Sequence, residues 1–391
     1  MKLGRLISGA LLALTTGCDR TPSGPTPAAA SGLGLADALG GGGDTAGFAR
    51  ALAPPDLRFP ADHGPHRDYR TEWWYVTANL DGDDGHRFGV ELVFFRQALA
   101  PPVPDTPVRV SELATREVIL AHAAVTDIDG RRFHCAQRVA REAAGLAGVE
   151  GGAAQPFRIR CVDWSAAAAA GGDGLLPLDI AAGDRAFRFT LRVASGKPPV
   201  PNGDRGLSRK NAIPGNASIY YSMTRLPIAG ELTVAGRTHR VRGLAWLDRE
   251  WMTAALAPDQ SGWDWFALQL DDGSDLMWYS LRRRDGGSDV WSRGTLVDAD
   301  GVATPLAASA LRAEPRGRWR APDGLAEYPA AWRLVGDTPA LDLEITPLLP
   351  DQELHTLVRY WEGAVAVRGT RSGRPVGGRG YLEMTGYAVG R

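Results

Sequence analysis

Two neighbouring stretches of the chain set acids among indoles: Trp246-Leu247-Asp248-Arg249-Glu250-Trp251 and, shortly after it, Trp263-Asp264-Trp265-Phe266. A carboxyl group packed against tryptophan loses hydration, which raises its pKa and suits it to give up a proton as a general acid. The same residue types also suit an ion pair, Arg249 with Asp248 or Glu250, that plugs the end of a sheet. On residue types alone the plug is preferred, because buried carboxylates are more often paired than catalytic. If the segment is a strand, alternation sends Trp246 and Asp248 to one face and Arg249 to the other. A second cluster, Asp62-His63-Gly64-Pro65-His66 followed by Arg70-Thr71-Glu72-Trp73-Trp74-Tyr75, brings His63, His66 and Glu72 together in sequence. Three such ligands are the minimum for a catalytic metal, but Gly-Pro between the histidines gives no regular element to hold them. A hydrogen-bonded loop leading into the first strand is expected instead, with neither metal nor cofactor.

Other chemistries leave no trace. The chain has no G-x-S-x-G turn, no H-E-x-x-H, no phosphate-binding glycine loop and no closely spaced cysteine ligands. A formal net charge of −1 gives no reason to expect nucleic-acid binding, and Arg282-Arg283-Arg284 is expected at a solvated hairpin end. Of the three cysteines, Cys135 and Cys161 each fall in a strand-like run. Either a cross-strand disulfide or two buried free thiols fits the sequence.

The elements that must position these residues are almost all β. Apolar runs flank Asp81-Gly82, Asp129-Gly130, Ala235-Gly236, Asp272-Gly273 and Asp300-Gly301, and Asx-Gly supplies the positive φ angles of tight hairpins. Around Asp272-Gly273 the alternation puts Trp265, Ala267 and Gln269 on one face and Phe266, Leu268 and Leu270 on the other. Consecutive hairpins predict meanders that close into barrels or sandwiches. Short helices are expected only at Asp248 to Leu256 and within Ala136 to Leu146. Ala166 to Gly174 and Lys197 to Gly203 read as exposed loops.

The first residues speak to location. Lys2 and Arg5 precede an apolar run, Leu6 to Leu14, that ends at Thr15-Thr16-Gly17-Cys18. This is the order of a secretory signal, and the run is far shorter than the ~20 residues a spanning helix needs. Gly17-Cys18 resembles the bacterial lipobox, which implies a lipid anchor on Cys18; plain secretion is the alternative. Asp19 resembles an inner-membrane retention signal of enterobacterial lipoproteins, without fixing the membrane here. The expected division is a leader over 1–18, a Pro/Gly/Ala-rich linker over 19–50, and two domains over 51–250 and 251–391, meeting near Leu226 to Thr253.

Longer motifs carry a family resemblance. FPADHGPHRDYRTEWWYVTANL (Phe59 to Leu80), YYSMTRL (Tyr220 to Leu226), GLAWLDREWMTAALAPDQSGWDWFALQLDDGSDLMWYSLRRRDG (Gly243 to Gly286) and DQELHTLVRYWEGAVAVRGTRSGRPVGGRGYLEMTGY (Asp351 to Tyr387) closely resemble the AttH-like, lipocalin-like family, often labelled secreted hydrolases and related to carotenoid 1,2-hydratase (CrtC). The resemblance implies an all-β fold of two consecutive lipocalin-like antiparallel β-barrels. In the hydratases an aspartate in Gly-x-x-Tyr-x-Asp-x-Asn protonates an isoprenoid alkene. That pattern falls on Gly243, Trp246, Asp248 and Glu250, so Asp248 keeps the acid while Trp and Glu replace Tyr and Asn.

Three functions are consistent with this. The one placed first is an envelope-anchored binding module for a large apolar ligand, an isoprenoid or lipid, working with ABC transporter components as the resemblance suggests. The second is an acid-catalysed hydratase or isomerase using Asp248, and the third a hydrolase with no visible nucleophile. In each, Trp74, Tyr221, Trp246, Trp251, Trp263 and Trp265 are expected to hold the ligand, with Arg249, Glu250 and Glu72 in supporting ion pairs.

Overall fold

The computed structural model describes residues 45–102, 114–254 and 256–388. The leader, Cys18 and the linker as far as residue 44 lie outside the described residues. What is described is β-structure, with one 3-10 turn at Ala61–His63 and no α-helix; no helix there is long and apolar enough to cross a membrane.

The first sheet has thirteen strands. It opens with β1 (Thr71–Gly82), β2 (Arg87–Ala98), β3 (Glu117–Asp127) and β4 (Arg132–Arg141). The short strands β5 (Ala147–Glu150), β6 (Arg158–Cys161), β7 (Trp164–Ala168), β8 (Leu178–Gly183) and β9 (Phe187–Val193) follow. It ends with β10 (Val200–Pro201), β11 (Leu207–Arg209), β12 (Ala217–Val234) and β13 (Arg237–Met252). The spatial order β4-β3-β2-β1-β13-β12-β9-β8-β7-β6-β5 shows two meanders joined through one long hairpin, all antiparallel, in a nearly closed barrel. That hairpin turns at Ala235-Gly236, whose φ values of 50° and 77° are those of a type I′ turn.

The second sheet has ten strands. They begin with β14 (Gln260–Leu270), β15 (Asp275–Arg283), β16 (Arg293–Val297), β17 (Ala303–Leu306) and β18 (Arg312–Arg316). After a separate ribbon of β19 (Trp319–Arg320) and β20 (Glu327–Tyr328) come β21 (Ala331–Asp337), β22 (Ala340–Pro347), β23 (Glu353–His355), β24 (Arg359–Arg371) and β25 (Arg374–Met384). β14 and β25, far apart in the chain, pair at the centre of the path.

Burial explains the residue patterns of the strands. On β9, Phe187, Phe189, Leu191 and Val193 point inward while Arg188, Thr190 and Arg192 are exposed, the pattern of a strand wet on one face. β1 is instead buried on both faces. Trp74, Val76, Ala78 and Leu80 enter the first core, and Tyr75 meets the second sheet. The β14 faces divide as alternation requires: Phe266, Leu268 and Leu270 fill the second core, and Trp265 and Ala267 join the layer between the sheets.

Several expectations need correction. Asp248 to Leu256 and Ala136 to Leu146 are not helical: β13 runs to Met252 and β4 to Arg141. Double-sided burial around Asp248 removes the polar alternation that marks a half-exposed strand. Asp81-Gly82 ends β1, and at Asp129-Gly130 the positive φ falls on Arg131. Ala166 to Ala168 belong to β7. Lys197 is no free loop residue, because its Nζ lies 2.8 Å from Asp275 and donates to two carbonyls of the second half. Arg282 pairs with Asp264 at 2.6 Å, leaving Arg283 and Arg284 exposed. Cys135 and Cys161 are free thiols. Cys161 sits in the first core and Cys135 packs on the opposite face, against the layer between the sheets, so the two strands present their sulfurs to different sides.

Candidate active site

β13 lies between β1 and β12, so Asp248 faces Tyr75 on one neighbour and Ser222 on the other. Strand parity separates the acidic motif into two sites. Trp246, Asp248, Glu250 and Met252 turn towards the second sheet; Leu247, Arg249 and Trp251 turn into the first barrel.

On the first side is a cleft of about 670 Å³, its open mouth included. Its walls are aromatic from both halves: Trp73, Tyr75 and Phe95 against Trp263, Trp265 and Tyr279. Asp248 is buried in this layer and lines the cleft. Its Oδ1 accepts from Ser222 Oγ at 2.5 Å and Trp246 Nε1 at 2.8 Å, and its Oδ2 accepts from Tyr220 Oη at 2.6 Å. Trp265 Nε1 donates to the same Tyr220 oxygen at 3.1 Å, so the second half steadies the acid's shell. Burial pushes the Asp248 carboxyl up to about 7 against the pull of these three donors, with Glu250 adding to the rise.

Glu250 does not compete for an arginine. Lys210 Nζ lies 2.9 Å from its Oε1, and Ser218 donates to the same oxygen. Burial draws the Lys210 ammonium down, but Glu250 and Tyr279, whose ring lies 4.5 Å from Nζ, more than offset it and keep the group charged. Among the described residues the cleft thus holds one neutralised acid–base pair and, apart from it, Asp248, which forms no ion pair. Across it Glu383 of β25 accepts from Trp263 Nε1 at 2.6 Å.

On the other side Arg249 is wholly buried. It reaches Glu72 at 3.1 Å, donates to the carbonyls of Trp73 and Gly64, and lies 3.9 Å over the Trp74 ring. Glu72 also pairs with Arg96, and His66 donates its backbone N–H to it. Burial pushes the Glu72 carboxyl up, but Arg96, His66 and Arg249 hold it well below the usual carboxylate range. Arg249 therefore forms no plug with Asp248 or Glu250. His63 contacts Tyr221 at 2.6 Å and not a common ligand point with His66, consistent with a hydrogen-bonded lead-in loop.

The predicted ligand residues divide accordingly. Trp246, Trp263 and Trp265 gather around the cleft. Trp74, Tyr221 and Trp251 do not: Trp74 stacks on Phe157, Tyr221 meets His63, and Trp251 stacks on His66 at 3.7 Å. Tyr220, Ser222, Lys210 and Glu383 escaped the sequence reading. Tyr220 and Ser222 share a parity that the register of β12 on β13 makes decisive, while Glu383 is an acid between Leu382 and Met384; Lys210 left no signal.

The AttH-like family model matches residues 50–387. An AttH from Nitrosomonas europaea is 34% identical with a TM-score of 0.75, covering 87% of this chain and 100% of that one. Kievitone hydratase from Nectria haematococca is 16% identical, with a TM-score of 0.63 over 87% of this chain and 95% of its own. CghA, solved with Sch210972, is 15% identical, with a TM-score of 0.52 over 88% and 97%; these two likenesses concern the fold. No curated protein matches the sequence. With family motifs spanning both sheets and a close structural relative aligned along its whole length, the chain belongs to the AttH-like family.

Proposed function

We propose that this protein is an acid-catalysed hydratase of an isoprenoid-type alkene, with Asp248 as the proton donor. One observation carries the reading: a buried carboxyl, free of any ion pair and titrating near neutrality, faces an aromatic cleft. An ordinary aspartic acid is protonated in about one molecule in 1,600 at pH 7, whereas one titrating at about 7 is protonated in half. Asp248 gives its proton to one alkene carbon, and the π pair forms the new C–H bond. The neighbouring carbon becomes a tertiary cation, which the indoles of Trp263 and Trp265 lining the cleft stabilise. Water adds to that cation and loses a proton, giving a tertiary alcohol; loss of a different proton from carbon would give an isomerised alkene.

The test is turnover of farnesol, a probe with a terminal trisubstituted double bond, by wild type and Asp248→Asn. The variant keeps the shape and removes the acid, so turnover is expected to fall about 10²-fold or more. Unchanged turnover rejects the acid role. Farnesol binding without turnover in the wild type supports the second reading, a carrier of apolar ligands, which the aromatic lining of the cleft also favours.

A further inference from the structure

The cleft has a second carboxyl with no cation to hold it. Glu383 lines the wall opposite Asp248, and Trp263 is the donor that orients it. Directly across from it in the β24–β25 ladder is Glu362, whose Oε1 accepts from Tyr75 Oη at 2.6 Å. Glu91 of β2 completes the group, accepting from Tyr360 at 3.1 Å. Glu91 and Glu362 are fully buried, and each keeps one oxygen without a partner. Among the described residues none of the three carboxyls is in an ion pair. The nearby cation, Lys210, is engaged by Glu250. Glu383, Glu362, Glu91 and Asp248 cannot all be charged in such a place, so protons must be shared among them.

Resting on the hydratase reading, we propose that Glu383 is the second catalytic carboxyl of the cleft: it takes the proton released when water captures the cation. The balance closes within the site. Asp248 loses a proton to carbon, a water O–C bond forms, and the water O–H bond that breaks passes its proton to Glu383. Glu383 then returns it to Asp248 through cleft water, leaving the net addition of one water. Burial pushes Glu383 up to about 8, with Glu91, Glu250 and Asp248 adding to the rise. The two cleft acids thus titrate close together, and between their titrations the pair carries one proton. The productive arrangement has that proton on Asp248.

The experiment uses farnesol in D₂O with wild type, Glu383→Gln and Asp248→Asn. Wild type is expected to give a bell-shaped rate profile. Glu383→Gln should lose the acidic limb, so the rate falls only towards alkaline pH, and alcohol formation should drop about 10²-fold. It should still place deuterium in the recovered alkene, because Asp248 continues to form the cation. A variant that keeps the acidic limb, or that forms alcohol at the wild-type rate, overturns the role given to Glu383. Alcohol formation by Asp248→Asn at the wild-type rate, or neither alcohol nor deuterium exchange by wild type, overturns instead the hydratase reading itself.

Discussion

Ser222→Ala tests the electrostatics of Asp248 without touching the acid. The Ser222 hydroxyl gives Asp248 its shortest hydrogen bond, 2.5 Å, and a donor at that distance favours the ionised form. Hydrogen bonds to charged groups are worth about 1.5–3 kcal/mol, and 1.36 kcal/mol corresponds to one pH unit. Removing the donor is therefore expected to carry the Asp248 titration upward from about 7 by about one to two pH units. A carboxyl-sensitive infrared titration reads this without substrate, and in the Glu383→Gln background the alkaline limb of the rate profile should move with it. Asn202, which donates to Ser222 at 2.8 Å, loses an acceptor, so stability falls by about 1–3 kcal/mol as a separate effect. A titration that stays put or moves down would refute the reasoning, because it would mean that the serine does not stabilise the charged acid.

Arg249→Met should leave Glu72 and Arg96 in an incomplete buried pair, costing about 3–5 kcal/mol in urea unfolding, while the Asp248 titration stays where it is. Stability should fall as pH rises from about 4.5 to about 8. Glu91 and Glu383 are pushed up to about 8 by burial, so over that window the native state holds protons that the unfolded chain has released. Urea midpoints at pH 5 and pH 8.5 check the sign, and Glu91→Gln should flatten the slope. The proposal of a lipid anchor on Cys18 predicts labelled palmitate in the wild-type protein and none in Cys18→Ser, with incorporation into the variant counting against it.

The long hairpin was legible in sequence through its tight Gly turn at Ala235-Gly236. The β14 faces were also legible, because its two sides meet different cores and still alternate. Asp248 and its separation from Arg249 follow from strand parity alone, given that the segment is a strand. What sequence could not supply was the partner. Tyr221 is as good a cleft residue as Tyr220 until the register against β13 is known, and Trp74 and Trp251 are as aromatic as Trp263. Likewise, Glu383 gains meaning only when β24 and β2 bring Glu362 and Glu91 towards it, and no local pattern foretells a contact across nearly three hundred residues.

The cleft takes the acid's hydrogen-bond shell almost wholly from β12 and β13 and much of its aromatic wall from β14 and β15. The setting of Asp248 and the shape of the wall it faces are thereby written on different parts of the chain. Exchanges at Leu281 can reshape what the cleft admits while Ser222, Trp246 and Tyr220 keep their bonds to Asp248. Trp265 and Trp263 are less free, since the Trp265 indole contacts Tyr220 and the Trp263 indole orients Glu383. An engineer seeking a new substrate should therefore vary the wall contributed by the second half and spare Trp263, Trp265 and Glu383.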